Sequence, residues 1–213
     1  MKCDKKWMPL YAVTDRAWLG ERTLAGCVEE TMRGGATCLQ LREKELDDAA
    51  FLEEAKELKV LCARYGVPFI VNDNVDVGIL CKADGVHVGQ SDANADAVRA
   101  RIGQDMILGV SVQTVEQAVK AEKDGADYLG VGAMFSTGTK LDADDVSFDT
   151  LREICNAVSI PVVAIGGISL KNIGAFAGTG IDGVAVVSAI FAAEQIEDAT
   201  RKLRSVVREE LGV

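Results

Sequence analysis

The chain has 213 residues, of which 48% are hydrophobic and 26% charged, and its formal net charge is -10. That length buries a sizeable core in one domain, and the acidic balance argues against a nucleic-acid or anionic-membrane partner, since both need a basic face. Six cysteines with no Cys-x-x-Cys spacing and a single histidine speak against zinc and for reduced thiols in a cytoplasmic protein, and no stretch reads as a signal segment or membrane span.

Short apolar runs recur along the chain at Leu10 to Thr14, Cys38 to Leu41, Phe69 to Asn72, Gly85 to Val88, Ile107 to Val110, Tyr128 to Val131, Pro161 to Ile165 and Gly183 to Val187. Each reads as a strand. Between and after them, apolar residues at helical spacing predict helices over Leu24 to Arg33, Asp48 to Tyr65, Val75 to Lys82, Ala95 to Ile102, Thr114 to Asp124, Phe148 to Ala157, Leu170 to Ala177 and Ile196 to Leu211. Strict alternation implies parallel strands with crossover helices, and there is no linker or second composition. The expected architecture is therefore α/β: a single-domain (β/α)8 TIM barrel over residues 1–213. An open doubly wound sheet is the competitor, but the first strand carries no Gly-x-Gly-x-x-Gly turn.

In such a barrel the chemistry belongs at the C-terminal ends of the strands. After the second strand, alternation puts Gln40, Arg42 and Lys44 on one side of an extended segment. After the third and fourth come Asp73 and Asp92, which are either helix N-caps or, as neighbours at adjacent strand ends, a pair of hard oxygen ligands suited to Mg2+. His87 lies between Val86 and Val88 and is expected to be a hydrogen-bonded interior residue rather than a base. Ser111 offers a hydroxyl after the fifth strand. The longest loop, Gly132 to Val146, follows the sixth strand and carries Thr137, Gly138, Thr139 and Lys140, with Met134 and Phe135 expected to anchor it. Finally, Gly166-Gly167 and Val187-Ser188 close the last two strands. These turns either relieve local crowding or aim backbone N–H groups at a phosphate.

Taken together, Gln40-Leu41-Arg42-Glu43-Lys44, Asn72-Asp73, Gly85 to Gln90 with Asp92, Gly109-Val110-Ser111, Thr137-Gly138-Thr139-Lys140, Gly166-Gly167-Ile168 and Val187-Ser188 resemble the thiamine-phosphate synthase family over essentially the whole length. The resemblance implies an enzyme that joins hydroxymethylpyrimidine diphosphate to a thiazole phosphate, or its carboxylated form, and releases pyrophosphate. It further implies that Gln40, Leu41, Arg42, Glu43, Lys44, Asn72, Ser111 and Lys140 hold the pyrimidine diphosphate, with Arg42, Lys140 and Ser111 acting in catalysis. Asp73 and Asp92 would carry Mg2+, and Thr137, Gly138, Thr139, Gly167, Val187 and Ser188 the thiazole phosphate. The implied partners are small phosphorylated substrates, and a homodimer is compatible with the fold. One departure is Ala133-Met134-Phe135-Ser136, where the family usually has prolines. A thiazole tautomerase of the same fold would need neither the two aspartates nor Lys140, and the histidine expected of it after the sixth strand is here Ala133.

Overall fold

The computed structural model describes residues 3–90, 94–135 and 146–213. Eight parallel strands close on themselves in sequence order: β1 (Leu10–Val13), β2 (Cys38–Leu41), β3 (Phe69–Asn72), β4 (Gly85–Val88), β5 (Ile107–Val112), β6 (Tyr128–Val131), β7 (Val162–Ile165) and β8 (Gly183–Val186). Around them lie α1 (Leu24–Arg33), α2 (Asp48–Tyr65), α3 (Val75–Leu80), α4 (Ala95–Ile102), α5 (Val115–Lys123), α6 (Phe148–Ala157), the short α7 (Ser188–Phe191) and α8 (Ile196–Leu211). Side-chain oxygens of Thr23, Asp47, Asn74, Thr114 and Ser147 accept backbone N–H groups in the first turns of α1, α2, α3, α5 and α6, which is why those helices start where they do.

Three predicted boundaries move by two residues or more, one of them the end of α3, at Leu80 instead of Lys82. The helix expected over Leu170 to Ala177 contracts to one 3-10 turn, Ile173–Phe176. Here the Asn172 side chain accepts from Ser169 N–H at 2.8 Å and donates to the Gly167 carbonyl at 3.0 Å, a local alternative to helical bonding. Strand β5 runs two residues further than expected, so Ser111 sits inside a strand paired with Gly130.

Period-2 alternation divides the strand residues into two cores. Leu39, Leu41, Val71, Val86, Leu108, Leu129, Ala164 and Val184 face outward and pack with the helices, while Tyr11, Val13, Cys38, Ile70, Ile107, Tyr128, Val163 and Ala185 fill the barrel. The N-terminal rim of the barrel is fastened by one device used four times. Thr37, Asp84, Asp127 and Asp182, each just before an even-numbered strand, accept the N–H of Leu10, Phe69, Leu108 and Val162 at 2.8–2.9 Å. Each also returns its own N–H to the carbonyl of that same residue at 2.7–2.9 Å. Strands β1 to β8 are thereby clamped in pairs at the end opposite the site, a stabilising role expected of that face.

Candidate active site at the C-terminal mouth of the barrel

The β2 end supplies a group of polar side chains. Gln40 points inward, is 5% exposed, and donates from Nε2 to the Tyr11 hydroxyl at 3.0 Å. One step on, the Arg42 backbone N–H donates to Thr14 Oγ1 at 3.0 Å and its guanidinium to Asp15 at 3.1 Å, so the segment after β1 fixes where that cation stands. Lys44 reaches across to β3, placing Nζ 2.6 Å from the Asp73 carboxylate.

Leu41 and Glu43, implied as contacts of the pyrimidine diphosphate, turn the other way. Leu41 is fully buried in the layer between strands and helices. The Glu43 carboxylate accepts the N–H groups of Lys44, Glu45 and Leu46 and pairs with Arg16, leaving its side chain 2% exposed. Arg16 is held from the other side by Glu54 on α2. Burial pushes the Glu43 carboxyl up, but those backbone donors and Arg16 outweigh it and hold the group below the usual carboxylate range. Glu43 therefore shapes the loop that carries Arg42 and Lys44, and its side chain does not reach the mouth.

Asn72 ends β3 beside His87 in register. Asp73 follows with φ +60, an unusual left-handed backbone for a residue other than glycine, secured by its N–H donating to the His87 carbonyl at 2.8 Å. Inside the barrel His87 is 7% exposed, with Nδ1 2.9 Å from the Tyr128 hydroxyl and Nε2 2.8 Å from Ser111 Oγ. It is the hydrogen-bonded interior residue expected. The Ser111 carbonyl accepts from Gln90 at 2.8 Å.

Across the mouth, the residues leading into the long loop are tied to the β7 turn: Met134 N–H donates to the Ile165 carbonyl at 2.9 Å and Phe135 N–H to the Gly166 carbonyl at 3.2 Å. Phe135 also joins Phe148 and Phe176 in an aromatic cluster, so both residues anchor the loop. Gly166 and Gly167 have φ +101 and +64, and a Cβ on Gly166 would stand 2.7 Å from Ala133 Cα, so this close approach requires glycine. Gly167 and Ser188 are exposed at the mouth and Val187 partly so. Asp92, Thr137, Gly138, Thr139 and Lys140 lie outside the described residues.

Among the described residues no group of three or more His, Cys, Asp or Glu side chains could hold a metal. Asp73 does offer one hard carboxylate, and the ammonium beside it shows that the position favours positive charge. The sequence reading missed Tyr11, Thr14, Asp15 and Tyr128. Thr14-Asp15 directly follows a strand, and the rule applied to the other strand ends points to it equally well.

A closed barrel with cations and a carboxylate at the mouth of β2 and β3, facing glycine turns after β7, defines a (β/α)8 enzyme acting on small phosphorylated molecules. A sequence model of thiamine monophosphate synthase matches residues 10–190, and the chain belongs to that family. It is 52% identical over 195 residues to the thiamine-phosphate synthase of Clostridium botulinum (strain Eklund 17B / Type B), covering 92% of each chain. To that of Clostridium tetani (strain Massachusetts / E88) it is 49% identical, over 94% of this chain and 96% of the relative. The solved thiamine phosphate pyrophosphorylase from Pyrococcus furiosus superposes with a TM-score of 0.90 at 40% identity, over 98% of this chain and 99% of that one. The activity is that of a transferase of thiamine biosynthesis: hydroxymethylpyrimidine diphosphate and thiazole phosphate are joined to give thiamine phosphate and pyrophosphate.

Proposed function

We propose that the two halves of the mouth divide the two substrates. In this reading Gln40, Arg42, Lys44, Asn72, Ser111 and Lys140 hold the pyrimidine diphosphate, Asp73 and Asp92 carry Mg2+, and Thr137, Gly138, Thr139, Gly167, Val187 and Ser188 hold the thiazole phosphate. The observation that carries it is the Lys44–Asp73 ion pair across the β2 and β3 ends, which sets an anion-binding group against a cation-binding one at the rim.

Mg2+ when bound would supply positive charge to the departing pyrophosphate. Arg42, oriented in advance by Asp15, and Lys44 would meet the same developing charge with little reorganisation. Departure leaves a pyrimidine methylene cation stabilised by its own electron-rich ring. The thiazole nitrogen attacks it, with the phosphate anchored near Gly167 fixing the approach. No protein nucleophile is required, which accords with an interior rather than catalytic His87.

The test measures thiamine phosphate and pyrophosphate release by the wild type and Asp73→Asn across a Mg2+ titration, with a chelator control. Loss of Mg2+-dependent turnover with the KM for thiazole phosphate retained supports the division; a wild-type Mg2+ response in the variant overturns it. The reading extends to a cytoplasmic homodimer, checked by cell fractionation and light scattering. No helix among the described residues is long and apolar enough to cross a membrane.

A further inference from the structure

Five side chains from five strands form a continuous hydrogen-bonded line through the barrel: Gln40, Tyr11, Tyr128, His87 and Ser111. The successive separations are 3.0 Å, 2.6 Å, 2.9 Å and 2.8 Å. Its two ends, Gln40 and Ser111, are groups assigned above to the pyrimidine diphosphate; the three between them do not figure in that assignment. The strands also keep space for the line. A Cβ on Gly109 would lie 2.2 Å from Cζ of Tyr128, and one on Gly130 would lie 3.2 Å from Cε1 of His87.

A line of this kind has a direction. An amide nitrogen only donates, so Tyr11 accepts from Gln40. In the polarity that gives each middle member one donor and one acceptor role, Tyr11 then passes its own proton to Tyr128. Tyr128 then donates to His87 Nδ1, which makes Nε2 the protonated ring nitrogen and Ser111 Oγ its acceptor. The hydroxyl proton of Ser111 is thus directed away from His87. Reversing the Gln40 amide would reverse every member and turn Ser111 into a donor to His87. Burial raises both phenols well above their ordinary pKa, so the two tyrosines keep their protons.

We propose that Tyr11, Tyr128 and His87 are positioning residues that lock the Gln40 amide and the Ser111 hydroxyl into one mutual polarity, and so determine which pyrimidine edge the site accepts. The proposal rests on the reading that Gln40 and Ser111 face the pyrimidine. With Nε2 on Tyr11, the amide offers Oε1 and its second N–H, matching an amino group beside a ring nitrogen acceptor. A 4-oxo pyrimidine, with a ring N–H beside a carbonyl, would need the opposite amide orientation.

His87 is the only histidine in the sequence, so 15N-histidine labelling gives one imidazole spectrum. The expected wild-type result is the Nε2–H tautomer, becoming a mixture in Tyr11→Phe; an Nδ1–H tautomer in the wild type, or a spectrum unmoved by Tyr11→Phe, overturns the relay. Kinetics supply the second arm. Tyr128→Phe should lower selectivity for the 4-amino over the 4-oxo pyrimidine diphosphate by about tenfold while the KM for thiazole phosphate stays at the wild-type value. His87→Gln can accept from Tyr128 and donate to Ser111 and should retain most of the selectivity that His87→Leu loses. Unchanged selectivity in Tyr128→Phe and His87→Leu overturns the positioning role. If Ser111→Ala and Gln40→Ala both keep the wild-type KM for pyrimidine diphosphate, it is the site assignment that fails, and the imidazole spectrum then reports on the relay alone.

Discussion

Lys44 Nζ lies 2.6 Å from the Asp73 carboxylate, so a side chain assigned to the diphosphate already neutralises one assigned to the metal. The pair joins the loop after β2 to the end of β3, and both partners are partly exposed, so it adds little to stability. Its consequence lies in competition: a divalent cation must take over the position that the ammonium holds. Lys44→Met should therefore tighten Mn2+ binding to the free enzyme, measured by electron paramagnetic resonance, by several-fold, and raise the KM for pyrimidine diphosphate by about tenfold. Equal Mn2+ affinity in both proteins would show that the ammonium and the metal do not share Asp73.

The carboxyls on either side of Arg16 respond to acid in opposite senses. Glu43, depressed below 4.5, stabilises the fold at neutral pH and loses that contribution as pH falls through its folded-state pKa. Burial raises Glu54 above 4.5 despite Arg16, so protonating it favours the fold as pH falls through its raised pKa toward 4.5. Melting temperatures from pH 7 down to about pH 3 should thus show a flatter acid limb for Glu43→Gln and a steeper one for Glu54→Gln. Parallel curves for the two variants would contradict this account.

Much of the barrel is legible from the sequence because each strand is a short apolar run bounded by turn residues; most strand ends shift by no more than a residue. The turn after β7 was misread because Asn172 competes with the helix through its own side chain, which apolar spacing does not register. Alternation was also informative at the site. The spacing that puts Gln40, Arg42 and Lys44 on one side puts Leu41 and Glu43 on the other, and the structure buries both. The interior relay was not legible: the Tyr11–Tyr128 bond joins residues 117 positions apart, and each tyrosine alone reads as a core aromatic.

The interior glycines lead to a graded prediction. Gly109→Ala drives a methyl into the Tyr128 ring, which is buried on all sides, whereas Gly130→Ala meets only the edge of His87 at 3.2 Å. Overpacking of a tight core costs about 1–3 kcal/mol, so chemical denaturation should place Gly109→Ala near or beyond the upper end and Gly130→Ala near the lower. A reversed order would mean that Tyr128 yields more easily than His87.

At the opposite rim, the four clamps differ in what they leave behind when broken. Asp127 also binds Arg99, whose guanidinium donates to the carbonyls of Gly103, Met106 and Gly125 and is largely buried. Asp182 instead pairs with Lys5, which is 67% exposed. Removing Asp127 strands a buried charge, a loss of about 3–5 kcal/mol, while removing Asp182 leaves a lysine free to hydrate. Asp127→Ala should lower the melting temperature much more than Asp182→Ala, with turnover per folded molecule unchanged in both because the rim lies far from the mouth.

The glycine turn after β7 allows access to be separated from backbone strain. Gly167 has φ +64, so replacement by valine would strain the chain as well as add bulk, and a loss of activity would have two explanations. Asparagine tolerates that backbone region far better and adds a side chain where the phosphate is proposed to approach the main chain. Gly167→Asn should melt within a few degrees of the wild type. Its KM for thiazole phosphate should rise by about tenfold or more, with the KM for pyrimidine diphosphate little changed. Gly166→Ala is the structural counterpart: its Cβ meets Ala133 at 2.7 Å, so it should lose stability and affect both substrates together. If the two variants gave the same kinetic pattern, the second glycine would be only part of the turn and the phosphate would have to be held elsewhere on the rim.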